Sequence, residues 1–313
     1  MEHRLRNIST QIKERALAEG FHKVGIVRAE PLEAERARLE DWLARGFHAQ
    51  MTWMARDTAA RTDPRALLPD AQAVVVVALN YFTPHKHQEA DAHGKISRYA
   101  WGDDYHDVLS EKLRSLLDWI KERWRGVEGK VCVDAQAAMD KAWAVRAGLG
   151  WIGKHSNVIT REYGSWVFLG ELLLSLEMEY DDIRSEDHCG TCTLCLEACP
   201  TGAITEPRVV DSALCISHAT IELRDSELPP VVEKNLNGWL YGCDDCQTIC
   251  PWNRFEQPTE ELRFEPRGME TSQPLEQVLA FTPDSYAARF RRSPIKRAKL
   301  SGLQRNARAL LRN

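Results

Sequence analysis

Eight of the nine cysteines of this 313-residue chain fall within residues 189–250. The first run reads C-G-T-C-T-L-C-L-E-A-C-P, with thiols at Cys189, Cys192, Cys195 and Cys199. Cys215 follows alone, and C-D-D-C-Q-T-I-C-P then supplies Cys243, Cys246 and Cys250. A C-x2-C-x2-C-x3-C-P run is the bacterial ferredoxin signature, in which three thiolates hold one [4Fe–4S] cube and the fourth ligates the other. The second run has no third nearby cysteine, and Cys215 is the spare thiol that replaces it. The expected ligand sets are Cys189, Cys192, Cys195 and Cys250 for one cube, and Cys199, Cys215, Cys243 and Cys246 for the other. A disulfide framework does not fit, because no signal peptide precedes a long, cysteine-poor N-terminal half. Zinc accepts C-x2-C pairs but needs neither the third cysteine at x2 nor the Cys-Pro ending. A chain so equipped moves electrons one at a time.

The length suffices for one large domain and a small one. No apolar run approaches the roughly 18 residues of a membrane span, and the longest, residues 73–79 (AVVVVAL), has strand length. The net charge of −5 gives no overall pull towards nucleic acid. Cluster thiolates without an export signal point to a reducing cytoplasm and to no membrane partner. The charge is uneven, however. Residues 286–313 carry nine Lys or Arg and no Asp or Glu, a block that is either a solvated face or an arm contacting phosphates.

In chain order, residues 5–19 have helical apolar spacing ended by Gly20, residues 21–27 alternate like a strand, and a second helix covers 32–44. Residues 51–69 are loop-rich and bear several arginines, and residues 73–79 are β-branched on both faces, as in a buried strand. His85, His87 and His93, with His106 beyond them, lack tight metal spacing and read as exposed loop histidines. A periodic helix covers 108–124. A short strand at 130–133 delivers Asp134 at its end, and a helix then runs to residue 147. It breaks into a glycine-rich loop at Gly148, Gly150 and Gly153. This G-x-G-x-x-G follows a helix instead of linking a strand to one, so it is not a dinucleotide fingerprint; close backbone approach to a bulky ligand is the expectation. Residues 167–176 read as a strand. Short helices follow around 275–279 and 283–290, and a last helix over 294–313 is interrupted at Gly302.

Nearly 190 residues precede the cysteines, more than an electron carrier needs, which suggests a substrate or cofactor domain. Several ordered motifs then carry a resemblance. They are R-T-D-P-R at 61–65, W-G-D-D-Y-H-D-V-L at 101–109, Asp134 with A-V-R-A-G-L-G-W-I-G-K at 144–154, and E-Y-G-S-W-V-F-L-G-E at 162–171. With C-I-S-H-A-T-I-E at 215–222 and Y-G-C-D-D-C-Q-T-I-C-P-W-N at 241–253, they make the whole chain resemble the epoxyqueuosine reductase family.

The resemblance implies an α+β fold: a reductive-dehalogenase-like cobalamin domain (1–180), a two-[4Fe–4S] ferredoxin-like domain (181–257) and a basic helical C-terminal segment (258–313). It implies reduction of the epoxide of epoxyqueuosine at the tRNA wobble position, with cobalamin fed by the two clusters. No D-x-H-x-x-G occurs, since D-Y-H-D-V-L at 104–109 lacks the glycine, so the cobalamin is expected base-off. Asp134 matches the family's proton donor, a role that asks for an apolar site to raise its pKa; on residues alone it reads as a helix N-cap. Positions carried over to the corrin are Arg61, Ser97, Asp134, Gly153, Lys154, His155, Ser156, Asn157, Val158 and Leu169, with Ser217 and Asp244 as weaker choices. On residues alone Arg61 is a surface arginine and Leu169 plain core. Asp140 stands where the family has a carboxylate, and Cys132 reads as a buried core thiol.

Many family members continue past residues 301–310 with helical repeats, and this chain stops after that one helix. The resemblance therefore leaves tRNA binding to the basic tail, through Arg291, Arg292, Lys296, Arg297, Lys299 and Arg305 acting on phosphates. An external electron donor and a monomeric state complete the expectation. The rivals are a corrinoid reductase of a small molecule, like the reductive dehalogenases, and a ferredoxin-like electron carrier.

Overall fold

A computed structural model of the chain describes residues 2–88, 90–134, 136–181, 186–269 and 271–312. Helix α1 (Glu2–Ala18) buries Ile8, Ile12 and Ala16 on one face. Gly20, at a φ of 91°, turns the chain into strand β1 (Lys23–Arg28). Helices α2 (Glu33–Ala44) and α3 (Thr58–Thr62) follow, the latter capped by Asp57, whose carboxylate accepts from the Ala60 N–H at 3.0 Å. The apolar run becomes β2 (Ala73–Asn80), buried along its whole length. Next come β3 (His93–Ile96), α4 (Tyr105–Arg123) and β4 (Gly129–Cys132). Helix α5 (Asp140–Arg146) precedes a hairpin of β5 (Trp151–Ile152) and β6 (Val158–Ile159), and β7 (Val167–Leu174) closes this half.

Strands β1, β2, β7 and β4 form one sheet in the order β1-β2-β7-β4, every neighbour antiparallel. Helices cover both faces, which explains the unbroken apolar reading of β2. Val75 and Val77 face α1 and α4, whereas Val74 and Val76 face α5. The helix expected from residue 134 begins only at Asp140. Asp134 stands in a bend ahead of it with φ at 51°, and Met139 occupies the N-cap position instead.

The cysteine-rich segment is built of short pieces: α6 (Leu194–Glu197), β8 (Ile204–Glu206), β9 (Val209–Val210), α7 (Ile216–Ile221), α8 (Pro230–Glu233), β10 (Trp239–Tyr241) and α9 (Asp245–Thr248). Strand β11 (Ser272–Pro274) and helices α10 (Leu275–Ala280), α11 (Pro283–Arg289) and α12 (Lys299–Arg312) end the chain. A second sheet joins the three stretches that the sequence divides, because β3 pairs parallel with β10 and antiparallel with β11. Ile96, Trp101, Tyr241, Leu275, Leu303 and Ala307 share one core around it. Residues 258–313 are therefore packed into the body of the molecule, not appended to it.

Two details differ from the sequence reading. Helix α12 runs unbroken through the buried Gly302, and the break falls at Lys299, whose φ is 61°. His87 is not a free loop histidine: its ring meets those of Trp101 and Trp239 edge-on at 5.4 and 5.2 Å. No helix among the described residues is long and apolar enough to cross a membrane.

Candidate active site

Tyr105 and His106 open helix α4, and both reach the bend after β4. The Tyr105 hydroxyl donates to Asp134 Oδ2, and His106 Nε2 lies 3.6 Å from the same oxygen. The other imidazole nitrogen, Nδ1, is 2.7 Å from Asp104 Oδ1, which also accepts the His106 N–H at 3.1 Å and so caps α4. The Tyr105 ring is held between two planes, stacked on Phe168 with centroids 4.3 Å apart and on His106 at 4.1 Å. Asp104, His106 and Asp134 thus stand in a line. Burial opposes a charge on His106, but the two carboxylates outweigh it and bring its pKa to about 9.

Burial also pushes the Asp134 carboxyl up, yet hydrogen bonding to His106 and Tyr105 more than offsets it, leaving Asp134 below its ordinary value. An apolar surrounding for Asp134 was the expectation, and the first turn of α4 replaces it with two hydrogen-bond donors. Asp134 and Lys141 are ringed by protein atoms and nevertheless open to solvent. Groups on the wall of a deep cleft have both properties.

Lys141 Nζ donates to the Ser156 carbonyl at 2.8 Å and to Asn157 Oδ1 at 3.0 Å, tying α5 to the 153–158 loop. Across from it, the Arg297 guanidinium lies 2.8 Å from Glu222 and 5.1 Å above the Trp53 ring, within range of the Asp134 charge. The Trp53 carbonyl accepts from Arg61 Nη2 at 3.0 Å. Around this cleft three buried polar atoms have no hydrogen-bond partner among the described residues: Arg61 Nε, His155 Nε2 and Ser156 Oγ. Two of the glycines have a structural reason of their own. A Cβ at Gly150 would sit 2.1 Å from the Ile159 carbonyl oxygen, and one at Gly153 would sit 2.5 Å from the Ile159 side chain. Both permit the close packing of the β5–β6 hairpin.

The remaining corrin candidates are distributed unevenly. Val158 is buried, and Leu169 is partly buried against the same core. Lys154 Nζ donates to the Gly190 and Cys192 carbonyls at 2.7 and 2.9 Å, binding the loop to the first cysteine run. Ser97 and Asp244 are both buried and meet each other, with Ser97 Oγ donating to Asp244 Oδ1 and the Arg98 N–H to Oδ2 at 2.8 Å. They fasten the end of β3 to the Cys243–Cys246 turn. Asp140, at the start of α5, abuts the carboxyl of Glu171 in the middle of β7. Burial raises both, Asp140 to about 6 and Glu171 well above its ordinary value. Neither Glu171 oxygen has a hydrogen-bond donor among the described residues, and the nearness of the two carboxyls favours a proton on the pair. Cys132 is a fully buried free thiol opposite Glu171.

The eight clustered thiols are all free. Cys195 lies among Cys250, Cys189 and Cys192. Cys246 lies among Cys215 and Cys199, and Cys243 adjoins it. The Ser217 and His218 N–H groups point at the Cys215 sulfur, and the Ala203 N–H lies 3.2 Å from that of Cys199. Cys195 is also close enough to act on Cys246, so the two sets adjoin. Among the described residues no three ligand-type side chains close on a single-ion site.

The basic tail is less uniform than its composition suggests. Arg291, Arg292, Lys296, Arg297 and Lys299 are exposed, Arg292 pairing with Asp107 at 3.3 Å. Arg305 is the exception. It is 5% exposed, and its guanidinium donates to the carbonyls of Ala219, Leu223 and Asp225 at 2.7–3.0 Å. It fixes α12 to the C-terminal end of α7 and has no charge to offer a phosphate.

Comparison with known proteins agrees with this layout. A family profile described as epoxyqueuosine reductase QueG, DUF1730, matches residues 61–135, and a 4Fe-4S double cluster binding domain matches residues 188–253. An epoxyqueuosine reductase of Synechocystis sp. is 47% identical over 291 residues, spanning 92% of this chain and 100% of its own length. An epoxyqueuosine reductase crystallised with a tRNA-Tyr epoxyqueuosine-modified stem loop superposes with a TM-score of 0.91 at 33% identity, over 97% of this chain and 81% of that one. A Bacillus subtilis epoxyqueuosine reductase, with its catalytic aspartate loop swung out of the active site, gives 0.90 at 31% identity over the same shares.

Proposed function

The chain belongs to the epoxyqueuosine reductase family, and we propose that its cleft is where the epoxide of epoxyqueuosine in tRNA is reduced to queuosine, with Asp134 delivering a proton to the departing oxygen. One observation carries this reading. Lys141, whose charge interacts with Asp134 and Asp140 and with Cys246 and Cys215, is tied to the 153–158 loop that Lys154 fastens to the first cysteine run, which supports a carboxyl and a thiol set serving one site. The overall change breaks both C–O bonds of the epoxide, forms a C=C bond and releases water. It consumes two electrons and two protons.

Cys189, Cys192, Cys195 and Cys250 hold one [4Fe–4S] cluster in this reading, and Cys199, Cys215, Cys243 and Cys246 the other. Together they bring single electrons inward from an external donor. The cleft also suits a cobalamin, because the unpartnered Arg61 Nε, His155 Nε2 and Ser156 Oγ are the kind of groups that a macrocycle fringed with amides satisfies. What cobalamin supplies when bound is a strongly reducing, nucleophilic cobalt. His106 is engaged by Asp104 and Asp134, which supports a base-off cofactor with no histidine beneath it.

In the open cleft Asp134 is ionised. Covering it with cofactor and nucleoside removes water, and desolvation favours the neutral carboxyl that can donate. Tyr105 keeps Oδ2 oriented while this happens. Arg291, Arg292, Lys296, Arg297 and Lys299 supply exposed charge for the phosphates of a stem loop, and the chain works as a monomer. Two measurements test the reading. Anaerobically reconstituted protein is expected to bind cobalamin with a base-off spectrum. D134A is expected to keep that spectrum and its tRNA affinity while losing at least about 100-fold in turnover. Failure to bind the corrinoid contradicts the cofactor assignment, and full turnover by D134A contradicts the proton donor.

A further inference from the structure

Water release requires two protons per turnover, and a single carboxyl carries one. The second must reach the oxygen through the same cleft, after Asp134 has already been emptied. Two groups face that carboxylate: the Tyr105 hydroxyl, which burial and the Asp134 charge hold well above its ordinary pKa and so keep from releasing its proton, and His106, which can give one up. His106 Nε2 faces Asp134 Oδ2 across 3.6 Å, a gap that a small rotation of the bend closes to hydrogen-bond distance. Its Nδ1 is anchored 2.7 Å from Asp104 Oδ1, and Asp104 is itself fixed as the cap of α4. The stack of His106 on Tyr105, and of Tyr105 on Phe168, restricts the imidazole plane.

We propose that His106 is the reservoir for the second proton: Nε2 gives its proton to Asp134 Oδ2 after the first delivery, and Asp134 passes it to the hydroxyl that leaves as water. This rests on Asp134 being the donor. His106 touches neither substrate nor cofactor in this scheme, so it is a positioning and supply residue acting through Asp134. The balance closes: the first proton makes an alkoxide into a hydroxyl, the second lets that hydroxyl depart as water, and the electron pair comes from the reductant of the established reaction. The imidazole returns to its cationic form from solvent, to which it is 37% exposed. Asp104 holds Nδ1–H throughout, so only Nε2 changes protonation and no tautomer switch is needed.

Other candidates fit less well. Glu171 is fully buried, and Asp140, though partly exposed, is already engaged with that buried carboxyl. Lys141 spends its ammonium on the 153–158 loop.

The test combines a titration with kinetics, both on the cluster- and cobalamin-loaded enzyme. Hydrogen–deuterium exchange at the imidazole C2 position, read by mass spectrometry against pH, reports the His106 titration without reference to activity. The groups facing His106 are Asp104 and Tyr105 on α4 and Asp134 in the bend, with Arg267 beyond Asp104 and Lys141 beyond Asp134. The wild-type midpoint is expected near 9 and is expected to fall towards the ordinary histidine value in D104N, which keeps the helix cap because Asn caps as well as Asp. Single-turnover conversion of epoxyqueuosine-tRNA is expected to show a basic limb at the same midpoint, moving down with it in D104N. In H106Q it is expected to slow about 100-fold with KM for tRNA unchanged and the basic limb gone. A wild-type rate and pH profile in H106Q would overturn the proposal, as would a D104N titration that shifts without the kinetic limb. If H106Q fails to load clusters, the paired D104N shifts decide alone. An active D134A removes the underlying donor assignment, and the relay with it, whereas an inactive D134A beside a normal H106Q removes the relay only.

Discussion

At the scale of single residues, the buried carboxyl pair makes a prediction independent of turnover. Glu171 sits in F-L-G-E-L-L-L with no exposed surface, and its nearness to Asp140 favours a proton on the pair. Its folded pKa is raised, so the folded state binds more protons than the unfolded one above the ordinary glutamate pKa. Stability must therefore fall as pH rises through that value and on through about 6, where Asp140 titrates. E171Q removes the need for that proton while keeping the shape. Its melting temperature, relative to wild type with clusters loaded, is expected to be higher at pH 8 than at pH 5.5; an equal difference at both values would contradict the shared proton. This residue also marks what sequence could have yielded. A lone carboxylate in a buried strand demands a partner, and F-L-G-E-L-L-L carries that signal openly. The pairing of Tyr105 and His106 with Asp134 was not legible in the same way. D-Y-H at a helix start looks like ordinary capping chemistry, and only the packing of α4 against the sheet brings residues 105 and 134 together.

At the scale of elements, α12 separates structural from surface charge. R305A leaves three carbonyls at the end of α7 without their donor, which is expected to cost on the order of 3 kcal/mol and to lower the unfolding midpoint. Its effect on the salt dependence of tRNA binding is expected to be nil. R291E/R292E is expected to do the reverse: unchanged cluster absorbance and melting, weaker binding of the stem loop, and a salt slope shallower by about 1 for each phosphate that is no longer neutralised. Charge counting placed Arg291 and Arg305 in one class, because nine basic residues in a row of helices give no depth information. The burial of Arg305 follows from its position one turn before Ala309, on the face of α12 that meets α7, whereas Leu303 and Ala307 enter the core on the opposite face. Short strands were equally silent. β3, β10 and β11 have four, three and three residues, too few to show a period, so the sheet uniting the three stretches could not be read from pattern. The eight-residue β2 was legible because a strand buried on both faces is apolar throughout, and β7 because its apolar run is broken only by Gly170 and Glu171.

At the scale of the whole molecule, the cysteine spacing was the most informative feature, since a cube fixes which thiols must meet irrespective of the intervening fold. In the proposed assignment the ligands cross between the two runs and tie the segment together through its metal, which makes Cys215 the least redundant of the set. C215S is expected to retain about half of the wild-type iron and to keep the Cys189–Cys192–Cys195–Cys250 cluster, checked by iron analysis and electron paramagnetic resonance. The most direct measurement of the proposed reaction is conversion itself. The cluster- and cobalamin-loaded enzyme is given a low-potential reductant and tRNA bearing epoxyqueuosine, and the nucleoside is followed by mass. Loss of one oxygen to give queuosine, dependent on cobalamin and abolished in D134A, is the expected result; epoxyqueuosine recovered unchanged from the fully loaded wild-type enzyme would contradict it.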